Sequence, residues 1–150
     1  MIITFCGHAC FVGSEEYEKK ILALLEETTG DNPADMFLGG YGGFDSFAYN
    51  VCKKYKASHP SVSLIFVTPY ITEQYQKNHL EFIKNMYDDI IYPEIENKPK
   101  RFAISYRNRY MVDRADFVIA YVNRSYGGAY ETYKYASGKG KIIFNIGDMK

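Results

Sequence analysis

The sequence predicts a doubly wound α/β domain, a single mainly parallel sheet with helices on both faces, and three observations carry that expectation. Short runs rich in Ile, Val and Phe alternate with segments of helical periodicity. Strands so uniformly apolar are those covered on both sides. Two of the runs end in glycine-rich corners, MFLGGYGGFDSFAYNVC at 36–52 and FVIAYVNRSYGGAYETYKYA at 117–136, each leading into a helical pattern. Finally, 150 residues is the common size of one domain, with enough apolar content to bury its own core.

The elements follow in order. Ile2-Ile3-Thr4-Phe5-Cys6 reads as a buried strand ending at Gly7-His8. Ser14 is a natural N-cap for a helix led by Glu15 and Glu16, with Tyr17, Ile21, Leu24, Leu25 and Thr28 on its apolar face and Gly30-Asp31-Asn32-Pro33 as its stop. Ala34 to Leu38 form the second strand, and a helix from the first glycine corner runs to about Lys56 on Phe44, Phe47, Ala48, Val51, Cys52 and Tyr55. Ser58-His59-Pro60 breaks the chain before a third strand at 62–67, which closes at Thr68-Pro69-Tyr70. Residues 73–87 read as a helix, 88–92 as a short fourth strand, 93–100 as irregular and 106–114 as a helix. A strong strand at 117–122, a helix at 128–137 stopped by Gly138-Lys139-Gly140, and a last strand at 141–146 complete the pattern.

Bulk properties narrow the function classes. With 18 acidic and 18 basic side chains the formal charge is zero, so charge recognition must be local and nucleic acid is an unlikely partner on this ground. The apolar runs are strand-length, far below the ~20 residues of a membrane span, and MIITFCGHACF lacks the basic lead of a signal peptide. A cytoplasmic protein without membrane attachment is expected. Three cysteines, Cys6, Cys10 and Cys52, suit reduced thiols better than disulfides. Cys6, His8 and Cys10 are closely spaced, but no second ligand pair accompanies them, so no metal is expected.

The glycine corners are the candidate site. Glycine permits positive φ and close approach to the main chain, and a helix N-terminus presents unpaired N–H groups at the positive end of its dipole, an arrangement that suits phosphate. Neither corner is followed by Gly-Lys-Ser/Thr, and neither fits GxGxxG. In a doubly wound sheet ligands sit beyond the carboxyl ends of the strands, where Gly7-His8, both corners and Thr68-Pro69 all fall. The candidate binding residues are therefore Gly7, His8, Gly39, Gly40, Gly42, Gly43, Asp45, Thr68, Pro69, Arg107, Asn108, Ser125, Gly127, Gly128, Ala129 and Glu131; Arg107 and Arg109, which flank Asn108 early in a helix, suit either bidentate anion recognition or a solvated basic face. Tyr41, Tyr126 and Tyr130 lie within the corners, where their rings could stack on a base or cover the core. Asp45 and Glu131 each open a helix and serve equally as dipole partners or ligand contacts, while Asp116 opens a strand at its amino end and reads as structural.

Taken in order, Gly7-His8, the Gly39-Gly40-Tyr41-Gly42-Gly43-Phe44-Asp45 segment, Val67-Thr68-Pro69-Tyr70, Arg107-Asn108-Arg109-Tyr110-Met111-Val112-Asp113 before Ala115-Asp116, and Gly127-Gly128 resemble the SLOG superfamily of Rossmann-like proteins, within it the YpsA/YoqJ-like proteins of bacteria and phages. The resemblance spans most of the chain and implies one nucleotide-binding domain over 1–150. Its ligand would be a nucleotide or a molecule derived from NAD or ADP-ribose, sensed or sequestered in phage defence or counter-defence. No separate cofactor is implied, and relatives commonly form homo-oligomers.

The LOG phosphoribohydrolase branch is similar too, which implies an alternative: cleavage of the N-glycosidic bond of a nucleoside monophosphate, with Arg107 and Glu131 as catalytic residues. The chain departs from that branch at Ala9, where its arginine would stand, at Ala129 in place of threonine, and at Thr132, which occupies the glutamate position with Glu131 one residue early. Binding without turnover therefore stands ahead of hydrolysis.

Overall fold

A computed structural model describes residues 1–69, 83–95 and 97–148. The helix expected at 73–87 lies, apart from its last residues, outside them, as does Tyr70.

The chain begins with β1 (Ile2–Gly7) and α1 (Glu15–Thr29). Ser14 Oγ accepts the Tyr17 N–H at 3.3 Å and so starts α1, while Gly30, at φ 54°, donates its N–H to Glu26 O and ends it. β2 (Ala34–Leu38), α2 (Gly43–Ser58) and β3 (Val62–Val67) follow. After the short strand β4 (Asp89–Ile91) comes a 3₁₀ turn at Lys100–Phe102, then α3 (Ala103–Arg114). β5 (Phe117–Tyr121), α4 (Gly128–Gly138) and β6 (Ile142–Asn145) complete the fold. α3 begins three residues before the expected Tyr106. The tight turn after Pro99 already sets helical direction at Ala103, whose buried methyl anchors the first turn.

The six strands form one sheet in the order β4-β3-β2-β1-β5-β6, and every pair is parallel. Side-chain alternation sorts the core. Ile3, Phe5, Met36, Leu38, Leu64 and Ile119 join Ile21 and Leu25 of α1 and Ala48, Val51 and Cys52 of α2. On the other face Cys6, Val118 and Ala120 meet Val112 of α3 and Ala136 of α4, and Phe37, Ile65 and Val67 meet Met111. Period-2 burial against a helix pair on each side is the doubly wound, Rossmann-like architecture the sequence predicts, with a fully parallel rather than mainly parallel sheet. Asp116 proves structural, accepting the Ile2 N–H at 2.8 Å where β1 and β5 begin. Among the described residues no helix is long and apolar enough to cross a membrane.

Candidate functional site

The chain runs outward from β1 in opposite directions along the sheet, so the strand order reverses between β1 and β5. At that switch point the carboxyl ends of two adjacent strands diverge, leaving a crevice that their connections must border. A cavity of about 180 Å³ occupies it. The end of β1 contributes Cys6, Gly7, His8 and Ala9, the first corner Tyr41 and Asp45, α3 Ile104, Arg107 and Asn108, and the second corner with α4 Arg124, Gly128, Ala129 and Thr132.

Among the described residues Arg107 is the largest fully buried side chain, 2% exposed. Its Nη1 donates to Gly39 O and Val67 O, both at 2.8 Å, and Nε donates to Asn108 Oδ1 at 2.9 Å. The guanidinium thus ties the carboxyl ends of β2 and β3 to α3 while one flank borders the cavity. Asn108 reaches the other way, donating from Nδ2 to Thr132 Oγ1 at 3.3 Å, and Thr132 Oγ1 donates to Gly128 O at 3.0 Å.

Asp45 stands in the first turn of α2 and accepts the Tyr41 N–H at 2.9 Å. Burial pushes its carboxyl up to about 6; the Tyr41 bond and the nearby Arg107 charge pull in the opposite direction without cancelling that cost. An aspartate that changes charge close to neutrality, beside a buried arginine in a cavity, is the strongest electrostatic signal of function among the described residues. His8 is a corner residue. Its Nε2 accepts the Asn123 N–H at 3.1 Å, which assigns the ring proton to Nδ1, and burial together with Arg124 lowers its pKa, favouring the neutral ring. Arg124 lines the cavity with Nη1 3.4 Å from Cys10 Sγ and its guanidinium over the Tyr126 ring; its buried Nε has no hydrogen-bond partner.

Of the expected residues, Gly7, His8, Asp45, Arg107, Asn108, Gly128 and Ala129 converge on the cavity. Gly39, Gly40, Gly42, Gly43, Thr68, Pro69, Ser125, Gly127 and Glu131 are not among its lining residues. The first corner is architectural. Gly43 donates its N–H to Ala9 O at 2.8 Å, so this amide is turned to the neighbouring loop, and a Cβ here would lie 2.7 Å from Ala9 O and 2.6 Å from Phe11 O. A Cβ on Gly42 would sit 2.8 Å from Ala9 Cα. Gly40 borders a neighbouring hollow with Asp45, Tyr49, Phe66 and Tyr87, and Thr68 donates its N–H to Ile91 O. The second corner is open, with nothing within 4 Å of a Cβ on Gly128.

Glu131 is exposed on α4, and Thr132 takes the cavity-facing position. One residue turns a helix by about 100°, which separates the two. Arg124 and Ile104 escaped the sequence reading, and Thr132 entered it only as a departure from the resembled hydrolase branch, not as a site residue. Helical spacing pointed to two of them, since Ile104 and Thr132 stand four residues from Asn108 and Gly128. Arg124 lies inside the second corner itself. Cys6 is buried, with its thiol pushed up to about 12 by burial and by Asp45, whereas Cys10 is exposed.

No family model matches the chain. It is 29% identical to the SPbeta prophage-derived protein YoqJ of Bacillus subtilis over 133 residues, with 78% of each chain covered. Among solved structures it resembles DNA processing protein A (DprA) from Streptococcus pneumoniae, at TM-score 0.64 and 17% identity over 95% of this chain. It also resembles DNA processing protein A from Helicobacter pylori, described for its single-stranded DNA binding mode, at TM-score 0.62 and 17% identity over 97%. The chain spans 49% and 64% of those two proteins, and the likeness is one of fold.

Proposed function

We propose that the switch-point crevice binds a small anionic molecule of nucleotide type, and that the protein senses or sequesters it. The observation that carries this reading is the convergence of Arg107, Arg124 and the N-terminus of α4 on one cavity whose only lining carboxylate among the described residues, Asp45, has a pKa of about 6. Guanidinium groups and helix N-termini favour phosphate, and a protonated Asp45 would donate a hydrogen bond rather than repel. The volume, about 180 Å³, is below the ~300–1,000 Å³ of sites that engulf a drug-sized ligand. The enclosed part would be the phosphate and ribose, with the base leaving over Tyr41, which lines the cavity and is 63% exposed.

The likeness to a prophage-derived protein and the DprA-like fold support reading residues 1–150 as one SLOG-type domain, and the first suits conflict signalling. The Helicobacter pylori neighbour is described for its single-stranded DNA binding mode. For this chain the expectation against nucleic acid rested on net charge alone, so an oligonucleotide belongs among the ligands tested.

The hydrolase alternative rests on Asp45 rather than Glu131, because Asp45 borders the cavity with a pKa suited to proton transfer near neutrality. Mass spectrometry of the small molecules released on denaturing the purified protein, followed by incubation with nucleoside monophosphates, NAD and ADP-ribose, tests both. An intact nucleotide recovered in stoichiometric amount supports binding. A free base accumulating with time, and lost in Asp45→Asn, supports hydrolysis. No retained molecule and no binding by calorimetry across the panel would sink both.

A further inference from the structure

Zero net charge conceals a division along the chain. Residues 1–97 carry 14 acidic and 7 basic side chains, whereas residues 98–150 carry 4 acidic and 11 basic. Much of the excess falls on α3, α4 and their flanks, on the face of the sheet opposite α1 and α2. There cations and rings alternate. Lys98 Nζ lies 5.3 Å from the Tyr106 ring centre, and Arg109 Cζ is 5.8 Å from that ring and 5.2 Å from the ring of Tyr135. Lys139 Nζ is 5.4 Å from Tyr135. The stripe Lys98–Tyr106–Arg109–Tyr135–Lys139 thus crosses from the segment before α3, over α3, to the end of α4.

The stripe is fixed and accessible. The Tyr135 hydroxyl donates to Asp113 Oδ1 at 2.7 Å, and Lys141 Nζ donates to the carbonyl oxygens of Asp113 and Ala115, which joins the end of α3 to the chain leaving α4. Lys98, Arg109 and Lys139 are exposed and both tyrosines are half-exposed. The ion pairs among the described residues lie elsewhere, at Glu16–Lys20, Glu18–Lys54, Asp88–Lys56 and Glu26–His59. None of the stripe residues lines the crevice.

Cations that form no ion pair among the described residues, each set over a half-exposed ring, match a polymer that alternates phosphate with an unpaired base: the cations swing onto phosphates and so free the ring faces to stack on bases. A duplex would engage the cations and leave the rings idle, as would an acidic peptide. We infer that this stripe is a binding surface for a single-stranded polynucleotide, separate from the small-molecule crevice.

The test is fluorescence anisotropy with labelled oligothymidylate and oligouridylate of about 20 nucleotides, which distinguish DNA from RNA, and a DNA duplex of the same length, between about 50 and 200 mM salt. Single strands should bind more tightly than duplex. Lys98→Gln/Arg109→Gln/Lys139→Gln should weaken binding at the lowest salt at least ~10-fold and reduce the log–log salt slope by about two, at ~0.7 per lost single-strand phosphate contact. Tyr106→Leu should weaken binding roughly 5-fold or more with the slope unchanged. If the triple variant does not fold, Lys98→Gln alone, in the turn before α3, should still reduce the slope by ~0.7. Absence of binding at low salt, equal affinity for duplex, or variants that bind as the parent does would each overturn the inference. So would sedimentation showing that the cations instead hold a second copy's acidic segments, with an oligomer lost in the triple variant and no oligonucleotide bound.

Discussion

Asp45 shows how one side chain can be costly to the fold and useful to a site. Its carboxyl titrates at about 6 in the folded protein against 3.8 for an ordinary aspartate, so the folded chain holds more protons than the unfolded one between those values. Stability is then lost as pH rises from about 4 through 6. Asp45→Asn keeps an oxygen acceptor for the Tyr41 N–H and removes the buried charge. It should raise stability by about 1–2 kcal/mol at pH 7 and by little at pH 4, read from urea midpoints at both values. A loss of stability at pH 7 would mean that its neighbours favour the carboxylate. His8 acts in the opposite sense. Its lowered pKa makes its contribution fully present above about 6.5 and lost as pH falls through its folded value, because protonating Nε2 breaks the bond from Asn123. That contribution should disappear in His8→Asn, whose urea midpoint should vary less below pH 6.5 than the parent's. Types and positions were legible in the sequence at both residues. Their protonation states were not, since these depend first on burial by the packed elements and then on the charges of Arg107 and Arg124, which approach from the other half of the chain.

The two glycine corners look alike in sequence and differ as elements. In the first, backbone oxygens of the 9–11 loop crowd Gly43, so the glycines serve the close approach of α2 to the end of β1. In the second, Gly128 opens α4 onto the cavity with space around it. Gly43→Ala should therefore destabilise by roughly 2 kcal/mol or more, because backbone atoms must move. Gly128→Ala, at a helix start where alanine has the better propensity, should change stability by less than about 0.5 kcal/mol while weakening ligand binding by narrowing the cavity. Equal losses of stability in chemical denaturation would refute the distinction. Arg107 joins three elements at once. Arg107→Met would leave Gly39 O and Val67 O without the guanidinium, at a cost on the order of 3 kcal/mol seen as a lower melting temperature. The sequence leaves Arg107 between anion recognition and a solvated basic face; only the packed strands reveal that it is buried and which carbonyl oxygens it reaches.

At the scale of the molecule the strand order matters most. Because the chain turns back past β1 to place β5 beside it, residues 7–9, 41–45, 104–108 and 124–132 meet at one crevice. A ligand that binds there in the folded state alone must stabilise the whole domain, by about 2.7 kcal/mol at a hundred times its dissociation constant. A nucleotide of the right class should accordingly raise the melting temperature by several degrees, and a panel that leaves it unchanged argues against the proposed ligand class. The sequence by itself determined the period of the described strands and helices, the ends of α1 and the parallel sheet, because apolar alternation, Ser14, Gly30 and the strand-terminal glycines act within a few residues of themselves. It also placed Gly7, Asp45 and Gly128 at strand and helix ends, where a switch-point site draws its residues. Only the tertiary structure decided that Thr132 rather than Glu131 enters the cavity, that Arg124 joins it, and that Gly43 holds a neighbouring loop. It also set Lys98, Arg109 and Lys139 in one line with two tyrosines. Those outcomes depend on helix rotation and on which elements touch, and both are fixed by long-range packing that no local pattern encodes.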